Sequence, residues 1–156
     1  MATVPPPRRF AMPQRTLASA LPQQTLLTVS PDDTVQRSAV LMAQARCGSA
    51  LVLDATGLVG IVTERDILNK VIAESRTPDT TRVGEIMTPK PICARGDMPV
   101  SYALFTMREY GFRHMPVVDR NNRPIGVFSI RDALPEELAG ADEIERHAEY
   151  VANNLR

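Results

Sequence analysis

A chain of 156 residues, 44% of them apolar, suits one domain or two small subdomains that share a core. Its 18 basic and 18 acidic side chains cancel, which argues against general nucleic-acid binding, where a basic excess or stripe is the rule. Cys47 and Cys93 stand at no metal or redox spacing, no apolar run reaches membrane-spanning length, and Arg8-Arg9 is followed by no apolar stretch. A reduced, cytoplasmic chain without membrane contact or export signal is therefore expected. With no Trp and 4% aromatic residues, the core must be aliphatic.

In chain order, residues 1–15 hold four prolines and read as a flexible arm. Residues 16–24 predict a short helix stopped near Pro22. LLTV (26–29) predicts a strand, and Thr34 is placed to cap a helix whose inward face is Val35, Ala39, Met42 and Ala45. ALVLD (50–54) and LVGIVT (58–63) are strands. ERDILNKVIAE (64–74) is helical, with Ile67, Val71 and Ile72 inward. After a connector at 76–82 the order recurs: a short helix in VGEIMTP, a strand in PICA (91–94), and a helix from Met98 to Tyr110 burying Val100, Ala103, Leu104 and Met107. The strands HMPVVD (114–119) and PIGVFS (124–129) follow, and IRDAL opens a helix. The tail, 135–156, is a charged helix with Ile144, Ala148, Val151 and Leu155 on one face.

The recurrence is an internal repeat. A shift of 65 residues superposes Asp32 on Asp97, Val35 on Val100, Met42 on Met107 and Val52 on Val117. One extra residue in the second turn makes the shift 66, and then Gly60 meets Gly126, Arg65 meets Arg131 and Asp66 meets Asp132. The length change falls in a turn, where insertion costs little. Two units this small cannot stand alone. The expected architecture is α/β (α+β): two β-α-β-β-α repeats, at 16–75 and 83–134, packed with pseudo-two-fold symmetry. Each has a small three-stranded mixed sheet with helices on one face, and two equivalent clefts result.

Thr63-x-x-Asp66 and Ser129-x-x-Asp132 sit where a strand gives way to a helix. Two readings are open on the residues. The pairs are variants of a capping box. They are equally suited to ligand: a hydroxyl and free N–H groups for a phosphate, and a carboxylate for a ribose diol.

The quoted segments, with the duplicated Gly-x-x-[Thr/Ser]-x-x-Asp, MTP and RHMPVVD in order, resemble a tandem pair of CBS domains, the regulatory module of cystathionine β-synthase. The resemblance covers about residues 25–134 and extends to stand-alone bacterial pairs and to the CBS part of plant CBS-PB1 proteins. It implies a nucleotide cleft at each junction. The stronger site implied is Ser129, Arg131 and Asp132 with Val127, the cations Arg113 and His114, and a base-binding wall of Thr28, Ser49 and Ala50 from the other repeat. Gly48 and Ser49 stand where the second repeat has Arg113 and His114, so the weaker site implied is Ile61, Thr63, Arg65 and Asp66, walled by Cys93, Met115 and Pro116.

Nothing in the chain pairs a nucleophile with a base or clusters metal ligands. The expectation is a non-catalytic regulatory module. It binds AMP, ADP or ATP, with S-adenosylmethionine or NADH as further candidates, and it requires no cofactor. The module acts as a homodimer on an unnamed protein partner, with the Met42 and Met107 helices and the tail as contact faces. The alternative is a ligand-free dimerisation scaffold in which the Thr/Ser-Asp pairs are only caps.

Overall fold

The computed structural model describes residues 14–23 and 26–154; the arm up to residue 13 and Leu155 lie outside them. Each repeat is built around one eleven-residue helix. In the first, α2 (Val35–Ala45) starts at Thr34, whose Oγ1 accepts the Arg37 N–H at 3.2 Å. In the second, α5 (Val100–Tyr110) follows Pro99. Both end on a left-handed residue, Gly111 (φ 72°) and its repeat-mate Arg46 (φ 52°). Glycine takes that conformation freely, whereas arginine carries strain there.

Two mixed sheets flank these helices. The first has the order β1 (Thr28–Val29), β2 (Ser49–Asp54), β3 (Gly57–Thr63), β4 (Thr88–Pro89); the second has the order β5 (Ala94–Arg95), β6 (His114–Val118), β7 (Pro124–Ser129). In each, a parallel pair (β1/β2, β5/β6) is followed by an antiparallel one (β2/β3, β6/β7). The antiparallel register slips at matching places, Val52/Leu53 and Val117/Val118. The expected three-stranded first sheet is thus four-stranded, because Thr88 and Pro89 of the MTP segment pair with Ile61 and Gly60.

The short leading helices are exchanged. Leu17 and Ala20 of α1 (Leu17–Ala20) are buried in the core of the second repeat, beside Val100, Leu104 and Phe128. Val83 and Ile86 of α4 (Val83–Ile86) are buried in the core of the first, beside Val35, Val62 and Val71. A shift of 66 relates Leu17 to Val83 and Ala20 to Ile86. The backbone docking is reciprocal too: Leu17 N donates to Met98 O at 2.9 Å and Val83 N to Asp33 O at 2.9 Å. Each repeat thus lends its first helix to the other, which locks two marginal units into one body.

Several side-chain expectations are corrected. The inward face of α2 is Val35, Ser38 and Met42, with Ala39 and Ala45 only half-buried. The helix after β3 is α3 (Glu64–Ile67), which widens into a π-helical turn over Leu68–Ile72. Val71 is buried, as expected, whereas Ile72 is 56% exposed. IRDAL forms only a 3₁₀ turn, Ile130–Asp132. Ala133 is extended and Leu134 precedes Pro135, where the α conformation is disfavoured. The long helix α6 (Pro135–Asn154) then lies along α5, burying Ala141 and Ile144 while Ala148 is exposed. Gly140 permits the approach, since a Cβ there would come within 3.2 Å of Ser101 Cβ. Arg108 ties the two helices through Asp142 and Glu145. Met42 and Met107 are core residues, 4% and 1% exposed, while the outer faces of their helices carry exposed Val40, Tyr102 and Tyr110.

Arg15, assigned to the arm by sequence, is held firmly. Its guanidinium donates to both Glu137 oxygens, at 2.7 and 2.9 Å, and to Asp132 O at 2.9 Å, while its carbonyl accepts Val100 N.

Candidate functional site

The two Thr/Ser-Asp junctions are built alike. The register sets Ser49 opposite Thr63 and His114 opposite Ser129. The next residue is sewn across the same gap: Glu64 N donates to Gly48 O, and Ile130 N to Arg113 O, both at 3.0 Å. Each junction is also a closed capping box. Asp66 N donates to Thr63 Oγ1 at 3.2 Å, and Asp66 Oδ2 accepts from Thr63 N at 2.9 Å. Arg131 N donates to Ser129 Oγ at 3.4 Å, and Ser129 N to Asp132 Oδ2 at 3.2 Å. Of the N–H groups expected to hold a phosphate, those of Glu64, Asp66, Ile130 and Arg131 are committed to protein oxygens, and the second junction has one 3₁₀ turn rather than a helix behind it. Anion binding here rests mainly on side chains.

Two clefts open at these junctions. The smaller, about 260 Å³, lies at Ser129 and Asp132. It brings together Ser49, His114, Val127, Arg131 and Asp132 of the predicted stronger set, with Arg46 and Cys47 added. Thr28, Ala50 and Arg113 do not line it; Ala50 is fully buried in its own sheet. The larger, about 580 Å³, lies at Thr63 and Asp66 and brings together Ile61, Thr63, Arg65 and Asp66. Of its predicted wall, Met115 is 1% exposed in the core of the second repeat, Pro116 is buried and Cys93 lies outside. Lys90, Pro91, Ile92, Tyr110 and Phe112 form that wall instead.

Arg113 belongs to this larger cleft, not to the one at Asp132 where it was placed. It precedes β6, and its backbone serves Ile130 while its side chain reaches toward the other repeat's junction. His114, Ser129 and Arg131 line both clefts, so one wall separates them. Gly48 makes room for it: a Cβ there would lie 2.7 Å from Glu64 Oε1 and 3.2 Å from His114 Nε2. Substitution of Gly48 by a larger residue, as at its repeat-mate Arg113, would displace the Glu64 carboxylate and crowd the imidazole.

Burial pushes the His114 imidazole below its ordinary 6.5; Arg131 and Arg113 add to this, while Glu64 and Asp132 oppose it. Burial and the neighbouring guanidinium groups thus disfavour a charge on the ring, and the cation-rich wall around it favours an arriving anion. Among the residues missed by sequence, Arg46 had a signal, an arginine where the repeat-mate is Gly111. Lys90 had none, because its place depends on β4 joining the first sheet. Among the described residues no group of three His, Cys, Asp or Glu is placed to hold a metal, and no helix is long and apolar enough to cross a membrane.

Comparison with known proteins bears on the family and the fold. The CBS domain family matches residues 18–73 and 83–137. The CBS domain-containing protein CBSCBSPB5 of Arabidopsis thaliana is 35% identical over 99 residues, 64% of this chain but only 18% of the plant protein's length. Among solved structures, a CBS-domain protein from Burkholderia ambifaria MC40-6 superposes with TM-score 0.71 at 36% identity, covering 79% of this chain and 91% of that one. The CBS domain protein PAE2072 from Pyrobaculum aerophilum, complexed with AMP, superposes with TM-score 0.73 at 27% identity, covering 82% and 98%. With both repeats matched and their clefts in place, the chain belongs to the CBS domain family, as a tandem pair.

Proposed function

We propose that this protein is a non-catalytic regulatory module that binds AMP, ADP or ATP in the clefts between its repeats and signals through a change of conformation or assembly. The observation that carries this reading is the cleft at Asp132. A carboxylate stands there, one of its oxygens without a recorded partner among the described residues, beside the cations Arg46 and Arg131 and the His114 ring. Asp132 suits the ribose diol, and the guanidinium groups suit phosphate. The larger cleft adds Arg65, Lys90 and Arg113, a set suited to a longer phosphate chain. The AMP complex of the Pyrobaculum neighbour supports the ligand class. Assembly as a homodimer, acting on a regulated protein partner, belongs to the same reading; Val40, Leu68 and Ile72 are apolar and exposed on the first repeat.

The test is thermal shift and titration calorimetry with AMP, ADP, ATP, S-adenosylmethionine and NADH. A ligand at one hundred times its Kd stabilises by about 2.7 kcal/mol, an easily read shift. Asp132→Ala is expected to remove binding at the smaller cleft, and Arg113→Ala to weaken phosphorylated ligands at the larger. No shift with any of the five would instead favour the scaffold reading, which the closed capping box at Asp66 supports.

A further inference from the structure

The two clefts are alike in sequence but not in the state of their carboxylates. Asp132 commits Oδ2 to the Ser129 N–H, and the structure records no partner for its Oδ1 among the described residues. Asp66 commits both oxygens. Its Oδ2 accepts from Thr63 N and Thr63 Oγ1, each at 2.9 Å, and its Oδ1 pairs with Lys70 Nζ at 2.8 Å. Lys70 lies four residues on, where a helical side chain reaches back to its neighbour. Its ammonium is further fixed by donating to Ile86 O at 2.7 Å, and the Asp66 side chain is only 13% exposed. The residue four beyond Asp132 is Glu136, which cannot form this pair.

A ribose diol arrives as two hydroxyl donors and needs two free acceptor sites; of the roughly four on a carboxylate, the recorded bonds take three at Asp66 and one at Asp132. Resting on the nucleotide reading above, we infer that Lys70 is a specificity-determining residue: it occupies the Asp66 carboxylate, so the larger cleft discriminates against the ribose diol and takes its ligand through phosphate. Ribose recognition is left to Asp132. Breaking one charge-assisted contact on a partly exposed lysine corresponds to about a tenfold penalty on diol binding.

The experiment isolates the larger cleft by closing the smaller with Val127→Phe, and independently with Asp132→Ala. Adenosine and 2′,3′-dideoxyadenosine are then titrated by calorimetry into each background, with and without Lys70→Met. Lys70→Met is expected to tighten adenosine about tenfold and to leave the dideoxy compound unchanged, while Lys70→Arg, which keeps the pair, behaves as Lys70 does. Unchanged adenosine affinity, or an equal gain for both compounds, overturns the inference while the nucleotide reading stands. Failure of adenosine to bind any larger-cleft variant overturns the inference, and failure of AMP, ADP and ATP to bind the chain with both clefts intact overturns the nucleotide reading as well.

Discussion

Replacing Arg15 by Met should destabilise the whole protein, although the residue sits at the edge of a proline-rich segment. Its guanidinium makes two bonds to Glu137 and one to the Asp132 carbonyl. The Glu137 side chain is 9% exposed and that of Arg15 30%. Removing one partner of a fully buried pair costs roughly 3–5 kcal/mol, and partial exposure of the guanidinium reduces this to about 2–3 kcal/mol. For a chain of this size that is a fall in Tm of roughly 5–10 °C. Burial pushes the Glu137 carboxyl up, but the bond from Arg15, the Leu134 N–H and the Arg15 charge outweigh it, holding the group below its ordinary 4.5. The folded pKa is therefore depressed, and the stability it carries is present above the unfolded value and lost as pH falls through the folded one. Urea denaturation of the parent, Arg15→Met, Glu137→Gln and the double variant measures the effect. The single Arg15 variant should lose its deficit in strong acid, and the cycle at pH 7 should give a coupling of about 2 kcal/mol. A deficit under about 0.5 kcal/mol, or no coupling, would refute the clasp.

Three further outcomes are expected. Because the His114 pKa is lowered, the unfolded chain binds the extra proton and stability falls as pH drops below 6.5; His114→Gln should flatten that part of the urea profile. Arg46→Gly, relieving a left-handed arginine, should raise stability by about 0.5–1 kcal/mol in thermal melts while weakening phosphorylated ligands at the smaller cleft relative to adenosine. Phe128→Ala should cost about 3–5 kcal/mol in chemical denaturation, since the ring is fully buried, whereas Ile72→Ala on the open π-helical turn should stay within about 0.5 kcal/mol.

Much of the fold was legible because the chain states it twice. The α5 face of Val100, Ala103, Leu104 and Met107 is buried as its period requires. Local chemistry marks Thr34, Thr63 and Ser129 as helix starts; the first two cap α-helices, whereas Ser129 caps a single 3₁₀ turn. Ile72 does not face inward with Ile67 and Val71: five residues beyond Ile67, a 3.6-residue period carries it about 140° round the helix, away from the buried face. Arg113 is grouped with Asp132 only by the family resemblance; which cleft its side chain lines depends on how one repeat packs on the other.

The order of elements, the duplication and the two Thr/Ser-Asp junctions are properties of the sequence, since they rest on spacing, capping and hydrophobic period within a few turns of chain. The partition of the site is not. The exchange of α1 and α4, the arrival of β4 beside β3, and the clasp of Arg15 on Glu137 are contacts between residues far apart in the chain. Those contacts set Lys90 and Arg113 around one junction and Arg46 beside the other, with His114 and Arg131 between. Local pattern names the groups that meet a ligand; only packing of one repeat on the other decides which of them meet it together.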